Sequence, residues 1–270
     1  MTPWLYVIGI GEEGIDTLSP AARALIATAE VLVGGERHLA KVPESGAERL
    51  TWSGGLSHAV EEISKRLGKR VAVLASGDPF DYGIGAVLVR HFEAKEMTVV
   101  PVPGAFSLAC ARMGWPRPDV ETITLHGRPL ESLNLFLAPG ARLLILSRGG
   151  DTPGRVAALL EDRGFGESPM TVLEHMGGPD EKRIEGVAQS WDHPRCADLN
   201  TIAVECVAGA NVICLSRVPG LPEEAFEHDG KITKREVRAA TLARLMPLGG
   251  QVLWDVGAGS GSIAIEWMRA

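Results

Sequence analysis

A short apolar run that breaks into a glycine turn is the feature that most constrains this fold. Residues 71–75 read VAVLA, rich in β-branched residues and short enough for a buried parallel strand. Ser76-Gly77-Asp78-Pro79 follows, where glycine permits unusual backbone geometry and proline fixes φ. A helix from Ala86 to Phe92 is expected next. Ligands of open α/β sheets bind at the carboxyl ends of strands, so this loop predicts a binding site, with an ordinary βα turn as the alternative.

The strand–turn–helix pattern recurs through residues 1–115, which we expect to form one α/β lobe. Residues 4–14 read WLYVIGIGEEG, and Ser19-Pro20 supplies an N-cap and a first helical position for the next helix. Residues 99–108, VVPVPGAFSL, repeat the pattern. A further helix places Leu56, Val60, Ile63 and Leu67 on one face before Gly68. Repeated βα units predict a mainly parallel sheet covered by helices.

Residues 119–217 are expected to form a second α/β lobe, after a linker with Gly114-Trp115-Pro116. Strands are predicted at residues 122–125 and 142–147, and a helix begins at Thr152-Pro153. The pattern then changes, because the next three predicted strands have little helix between them. A mixed sheet with antiparallel members is therefore expected. These strands are residues 170–175, 183–190 and 200–207.

A third unit is expected at residues 231–270, after a proline-rich acidic linker at residues 218–230. Thr233 is predicted to cap a helix over residues 234–245, and residues 251–256 read as a strand. A glycine loop follows that strand, and such a loop lets backbone groups approach an adenosine-containing ligand. Its candidate cofactor-binding residues are Asp255, Gly257, Gly259 and Gly261.

The overall charge and the cysteine pattern exclude several classes of protein. The formal net charge of −7 argues against a broad nucleic-acid footprint, and no apolar run approaches the ~20 residues of a membrane-spanning helix. The four cysteines form no C-x-x-C pair, so we expect reduced, buried thiols in a cytoplasmic protein and no metal site. They are Cys110, Cys196, Cys206 and Cys214.

In their order and spacing, residues 4–14, 71–85, 99–108 and 122–128 resemble the tetrapyrrole methylase family. Residues 31–38, VLVGGERH, and the phrase Asp81-Tyr82-Gly83 favour its precorrin-6Y methylase subgroup, which acts in cobalamin biosynthesis. The resemblance covers residues 4–216. One turn departs from the family pattern Gly-x-Gly-Pro-Gly, because Glu12 and Glu13 follow Gly9-Ile10-Gly11.

The resemblance implies a two-lobed tetrapyrrole methylase fold followed by an incomplete Rossmann-like methyltransferase segment. It implies S-adenosylmethionine as cofactor and an anionic precorrin as substrate. We expect no membrane or nucleic-acid partner, and we expect a homo-oligomer. The first unit would methylate carbon 5 of precorrin-6Y. Residues 221–267 resemble the start of the domain that would methylate carbon 15 and decarboxylate an acetate side chain. We expect residues 231–270 to be poorly ordered, or to adhere to the first unit or a neighbouring chain.

The resemblance also assigns site residues. In the first unit, the cofactor would be held by Gly9, Gly11, Gly77, Asp78, Pro79, Gly83, Ile84 and Ser107. Arg128 would pair with a substrate carboxylate, and His126 would bond the macrocycle or be a loop histidine satisfied by backbone. For Asp78 we favour shaping the loop, or bonding polar groups of the cofactor, over acting as a base. No catalytic residue is assigned, because methyl transfer depends mainly on alignment and exclusion of water.

Three alternatives stay open at this point. The chain could methylate another tetrapyrrole or related substrate with the same fold. The glycine loops also fit a nicotinamide-dependent oxidoreductase, although no acidic residue follows either loop in a clear βαβ frame. A non-catalytic ligand-binding or scaffolding protein is the third reading. Binding of S-adenosylmethionine rather than NAD would exclude the oxidoreductase. Methyl transfer to a precorrin would exclude a non-catalytic protein.

Overall fold

A computed structural model describes residues 3–52 and 55–270, and the first part is built on a parallel five-stranded sheet. Its strands are β1 (Leu5–Ile10), β2 (Val31–Val33), β3 (Glu48–Leu50), β4 (Val71–Ser76) and β5 (Met97–Val100). The spatial order is β3-β2-β4-β1-β5, and every pairing is parallel. The run that opened the sequence analysis is thus a central strand, buried from Val71 to Ala75.

Helices cover both faces of this sheet, because successive strand residues point to opposite sides. Val7 and Val73 pack in one apolar cluster, and Ile8 and Leu74 pack in the other. The Ser19 hydroxyl accepts a hydrogen bond from the backbone N–H of Ala22 at 3.2 Å, as its N-cap position predicts. The helices are α1 (Pro20–Ala27), α2 (Glu36–Leu39), α3 (Gly55–Ser64), α4 (Gly85–Leu88) and α5 (Ala105–Met113).

The second sheet is mixed, which confirms the expected change of pattern. Its strands are β6 (Glu121–Thr124), β7 (Arg142–Leu146), β8 (Pro169–Glu174), β9 (Lys182–Val187) and β10 (Asn200–Glu205). They lie in the order β6-β7-β10-β8-β9, and only the β6–β7 pairing is parallel. The helix α6 (Thr152–Asp162) follows β7. We call residues 3–113 the first lobe and residues 121–205 the second lobe.

Helix α5 joins the two lobes. Phe106 and Ala109 of α5 are buried in one apolar cluster with Leu144, Leu173 and Ala203 of the second sheet. The helix therefore belongs to both cores, and it fixes the edge at which the carboxyl ends of the first sheet face the second lobe. Short 3-10 helices lie at Ile15–Thr17, Ala94–Glu96, Arg117–Asp119, Leu130–Leu135, Ala188–Ser190 and Glu223–Ala225.

The last part of the chain contains α7 (Arg235–Leu245) and α8 (Ser262–Arg269), which a buried ion pair joins to each other and whose hydrogen bonds reach the preceding linker. Arg238 Nε lies 2.8 Å from Glu266 Oε1, and both side chains are fully or almost fully buried. Glu266 also accepts hydrogen bonds from the backbone N–H groups of Gly220 and Leu221, at 2.6 and 3.1 Å. Arg238 donates to the carbonyl oxygens of Leu221 and Thr233. We call these contacts the linker clamp.

Several sequence expectations for helices and side chains differ from the structure. Thr233 does not cap α7, whose N-cap position is Lys234. Helix α3 ends at Ser64, so Leu67 lies outside it and is exposed. Leu56, near the start of the helix, is also exposed.

Two further differences concern a strand and a cysteine. Residues 251–256 form no strand, because no described residue pairs with them. A strand needs a partner for its backbone groups, whatever its composition. Cys214 is exposed, unlike the other three cysteines.

Candidate functional site

Glycine turns meet at the carboxyl ends of the central strands of the first sheet. Ile10 of β1 is paired with Ser76 of β4, and the Val102 N–H donates to the carbonyl oxygen of Gly77 at 3.3 Å. A Cβ at Gly9 would lie 1.9 Å from that same carbonyl oxygen. The turn after β4 therefore packs directly on β1, and only glycine fits at position 9.

The same crowding applies to Gly77. Its φ is +52°, a region that favours glycine, and a Cβ there would lie 2.6 Å from the Cα of Gly104 at the start of α5. This packing gives Gly77 a structural role besides the cofactor contact that the resemblance implies.

The loop from Gly77 to Gly85 is closed by its own hydrogen bonds. Asp78 Oδ1 accepts from the Phe80 N–H at 2.9 Å, and the Gly85 N–H donates to the Pro79 carbonyl at 2.9 Å. A Cβ at Gly83 would lie 2.6 Å from the same Pro79 oxygen. Asp78 thus shapes the loop.

A cavity of about 470 Å³ lies where this loop faces the second lobe. That volume falls within the range of roughly 300–1,000 Å³ typical of small-molecule sites. The first lobe contributes Ser76, Gly77, Asp78, Asp81, Gly83 and Ile84 to its wall. The second lobe contributes Thr124, His126, Ser147, Arg148, Asp198 and Asn200.

A smaller cavity of about 90 Å³ adjoins it and shares Ser76, Gly77 and Asn200. Its remaining wall includes Gly11, Glu12, Arg37, His175 and Met176. We call the two cavities together the cleft. Both lobes and three strand-end loops of the first sheet contribute to it.

Glu12, which departs from the family pattern, collects positive groups at the small end of the cleft. Its Oε1 lies 2.5 Å from Lys41 Nζ and 3.3 Å from Arg37 Nη1, and its Oε2 lies 3.7 Å from His175 Nδ1. Burial acts to raise the pKa of Glu12, but the Lys41 hydrogen bond and the neighbouring positive charges outweigh it and lower that pKa. Glu12 is therefore a charged contact between the lobes.

His38 lies beside the same group of charges and is held neutral. Burial, followed by the charges of Arg37 and Lys41, lowers the pKa of His38 to about 4. Its Nε2 lies 2.8 Å from the Ser76 hydroxyl, which also accepts a hydrogen bond from Arg37 at 3.2 Å. The phrase VLVGGERH, singled out in the sequence, thus reaches the turn after β4.

Asp81 provides a carboxylate to the wall of the larger cavity. Among the described residues no hydrogen-bond donor reaches its side chain, and burial raises its pKa against the opposing charge of Arg117. A carboxylate without a hydrogen-bond donor at this place fits a ligand that carries positive charge. Its signal was visible in the sequence as Asp81-Tyr82-Gly83, but Asp81 was not among the predicted site residues.

The second lobe contributes a hydrogen-bonded wall that sequence reasoning missed. Ser147 Oγ lies 2.5 Å from Asn200 Oδ1, and the Asn200 amide donates to the Ala197 carbonyl at 2.7 Å. Asp198 accepts from the Gly150 N–H at 2.8 Å. Ser147 and Gly150 follow β7, whereas Ala197 and Asp198 precede β10 and Asn200 begins it, so the antiparallel pairing of those strands brings them together.

The predicted site residues of the first unit divide into four groups. Those on the cleft wall are Gly11, Gly77, Asp78, Gly83, Ile84 and His126. Gly9 and Pro79 are buried behind it. Ser107 is exposed on α5 and lines neither cavity. Arg128 lines neither cavity. Its guanidinium carbon lies 5.5 Å from the centre of the Tyr82 ring, an exposed part of the wall of the larger cavity that we call the mouth of the cleft.

The predicted glycine loop of the third unit lies apart from the cleft. Gly257, Gly259 and Gly261 all have positive φ, at +79°, +57° and +68°. Asp255 Oδ2 is buried and has no hydrogen-bond partner among the described residues. The neighbouring Val256 is 92% exposed, so the described chain covers little of this loop.

Neither a cluster of three or more His, Cys, Asp or Glu suited to a metal nor a helix long and apolar enough to cross a membrane occurs among residues 3–52 and 55–270.

Comparison with known families decides the classification. The model for tetrapyrrole (corrin/porphyrin) methylases matches residues 4–192, and the model for a precorrin methyltransferase domain matches residues 224–270. The chain belongs to the tetrapyrrole methylase family. This confirms the resemblance found in the sequence and the predicted fold class.

Two relatives of this tetrapyrrole methylase are longer than it is. It is 45% identical over 275 residues to a precorrin-6Y C(5,15)-methyltransferase [decarboxylating] of Sinorhizobium sp, covering all of this chain and 66% of that protein. It is 42% identical to the protein of the same name from Mycobacterium tuberculosis, covering 98% and 67%. The chain thus spans about two thirds of their length. The expectation of a methyltransferase agrees with these names.

A shorter relative and a solved structure match the two-lobed part. A cobalt-precorrin-7 C(5)-methyltransferase of Salmonella typhimurium is 34% identical over 178 residues, or 66% of this chain and 88% of that protein. The crystal structure of a precorrin-6Y methylase of cobalamin biosynthesis from Archaeoglobus fulgidus superposes with a TM-score of 0.56 at 26% identity. It covers 75% of this chain and 97% of that one.

Proposed function

We propose that this chain transfers a methyl group from S-adenosylmethionine to carbon 5 of a precorrin in cobalamin biosynthesis. The observation that carries the proposal is the cleft, in which the strand-end loops of the first lobe face the second lobe and whose larger cavity has a volume of about 470 Å³. Carbon 5 is favoured because the name C(5)-methyltransferase belongs to a relative that matches 66% of this chain over 88% of its own length.

The residues of the cleft fit the proposed cofactor. When bound, S-adenosylmethionine supplies an electrophilic methyl group on a positively charged sulfur. The Asp81 carboxylate, unpaired among the described residues, offers the cleft a negative charge. Gly77 and Gly104 offer bare backbone at the same wall, and Ser147 and Asn200 offer polar side-chain atoms. These groups would hold the cofactor.

The protein's contribution to methyl transfer is alignment and exclusion of water. The methyl carbon would form a bond to the substrate carbon as its bond to sulfur breaks, and the substrate carbon would release its proton to the solvent. Arg37 at the small end of the cleft, and Arg128 beside the Tyr82 ring at its mouth, would orient an anionic substrate. No catalytic base is assigned.

We assign residues 1–115 and 119–217 to the carbon-5 methylase, 218–230 to a linker and 231–270 to a Rossmann-like methyltransferase segment. Methylation of carbon 15 and decarboxylation are proposed for the domain to which residues 224–270 belong. The exposed loop around Asp255 supports one cofactor site in this polypeptide, at the cleft. A homo-oligomer stays a prediction.

The test combines binding and product analysis. Calorimetry should show one S-adenosylmethionine per chain, with NAD as the control ligand that does not bind. Incubation with precorrin-6Y or cobalt-precorrin-7 and cofactor should give a product heavier by one methyl group, placed at carbon 5 by NMR. Binding of NAD instead, or absence of any methylated product from either substrate, would reject the proposal. A doubly methylated, decarboxylated product would reject the single-site assignment.

A further inference from the structure

Tyr82 has a backbone conformation that its neighbours must impose. Its φ is +60°, which is uncommon for a residue with a side chain and rarer for a bulky one. Such strain persists where the surrounding structure fixes the residue, and it concentrates at functional sites. The Tyr82 N–H donates to the Phe80 carbonyl at 2.9 Å, within the loop that follows β4.

The Tyr82 ring crosses from the first lobe to the second. Its centre lies 6.1 Å from that of Phe106 on α5, in an edge-on arrangement, and 5.5 Å from the guanidinium carbon of Arg128. Its hydroxyl donates to the carbonyl oxygen of Thr122 in β6 at 3.4 Å. Tyr82 lines the larger cavity, and its side chain is only half buried.

A second arginine extends this arrangement. The guanidinium of Arg117 lies 5.5 Å from the centre of the Phe106 ring and donates to the Thr122 hydroxyl at 3.2 Å. Within the described part of the chain, neither Arg117 nor Arg128 has a carboxylate within ion-pair distance. Aromatic rings hold both cations in place while leaving their charge available to an anion.

We propose that Tyr82 is a positioning residue, whose ring spans the two lobes at the mouth of the cleft and holds Arg128 where it meets a carboxylate of the anionic substrate. This inference rests on the proposed function and adds to it a residue that sets substrate affinity. Its strained backbone aims the ring across the mouth, and Arg128 makes the substrate contact.

The experiment measures KM for the precorrin, kcat and the Kd for S-adenosylmethionine in matched variants. Tyr82→Leu should raise KM roughly tenfold, the upper range for loss of a cation–π contact, with kcat and cofactor Kd within about twofold of wild type. Tyr82→Phe keeps the ring and should restore most of the affinity. Phe80→Leu is the matched control, since Phe80 is an exposed aromatic of the same loop that does not line the larger cavity. It should leave KM unchanged.

Two additions separate the role of Tyr82 from folding. Glycine accepts a φ of +60° without strain, so Tyr82→Gly should fold and show the same rise in KM. In the Tyr82→Leu background, Arg128→Met should raise KM little further, because Arg128 has already lost the Tyr82 ring that holds it in place. An unchanged KM in Tyr82→Leu and Tyr82→Gly, equal losses in Phe80→Leu, or fully additive losses would overturn the proposal.

A readout without substrate keeps this proposal distinct from the proposed function. Backbone amides of residues 122–128 should exchange hydrogen faster in Tyr82→Leu than in wild type or Tyr82→Phe. If wild type methylates no precorrin, the proposed function fails, and unchanged exchange in Tyr82→Leu would reject the contact between the lobes.

Discussion

Gly77 shows that a glycine in a binding loop can be required by its neighbours. The sequence suggested that it lets the backbone approach a cofactor, and the structure adds that its missing Cβ leaves room for Gly104. A substitution at Gly77 therefore tests packing as well as ligand binding.

Gly77→Ala should lower the free energy of unfolding by more than the ~1–2 kcal/mol of a left-handed alanine alone. The added methyl would lie 2.6 Å from the Cα of Gly104, and backbone must shift to admit it. Gly140→Ala is the control, because Gly140 also has positive φ but nothing within 4 Å of a Cβ. Urea denaturation measures both. Equal losses would show that position 77 is not crowded.

His38 should make the protein less stable in acid. Its pKa is about 4 when folded against an ordinary 6.5, so between these pH values the unfolded chain binds a proton that the folded protein does not. The contribution of neutral His38 to the free energy of unfolding is thus fully present above pH 6.5 and is lost as the pH falls towards 4.

The midpoints of urea denaturation at pH 6.5, 5.5 and 4.5 test whether His38 causes this loss of stability in acid. The midpoint of His38→Gln should fall less steeply with decreasing pH than that of wild type. His91→Gln, at an exposed histidine, should follow wild type. Parallel profiles for all three proteins would show that His38 is not held neutral by the fold.

At the scale of elements, the linker clamp sets how the last two helices attach. Arg238 and Glu266 bond to each other and to backbone groups of the linker rather than to either sheet. Removal of one partner from a buried ion pair commonly costs about 3–5 kcal/mol, because the other charge stays buried.

Arg238→Met should therefore release residues 218–270 while the two lobes stay folded. Hydrogen exchange should quicken in α7 and α8 and stay unchanged in β1, β4 and β10. Arg155→Met is the control, since Arg155 forms an exposed pair with Asp151 at 3.8 Å worth at most about 0.5 kcal/mol. Faster exchange throughout both lobes would show that α7 and α8 are part of the main core.

Which elements the sequence could predict depends on where their stabilising contacts lie. β4 and α1 were predictable because an apolar run, a glycine turn and the Ser19 cap are local signals. Residues 251–256 read as a strand on composition, but pairing is decided by a neighbour that composition does not reveal. α4 begins one residue earlier than expected but ends at Leu88 instead of Phe92, so it is shorter than the apolar run suggested.

At the scale of the whole molecule, the cleft could be predicted only in part. The loops of the first sheet were found because parallel strand ends meet at one edge. The wall formed by Ser147 and Asn200 was missed, because it depends on how the second sheet pairs and on α5 bringing the lobes together. The contacts of Glu12 with Lys41 and His175 were missed because both partners are distant from Glu12 in sequence.

The linker clamp has a consequence for how such a chain can change over generations. Glu266 accepts from the N–H groups of Gly220 and Leu221, and Arg238 donates to carbonyl oxygens, so the clamp's hydrogen bonds to the linker use main-chain groups. Two linker side chains also take part: the Phe226 ring lies 4.7 Å from the Arg238 guanidinium carbon, and Glu223 accepts from the Arg235 N–H at 3.1 Å. Mutations elsewhere in the linker leave all of these groups in place. Much of the linker can therefore drift in sequence while a few residues preserve the joint.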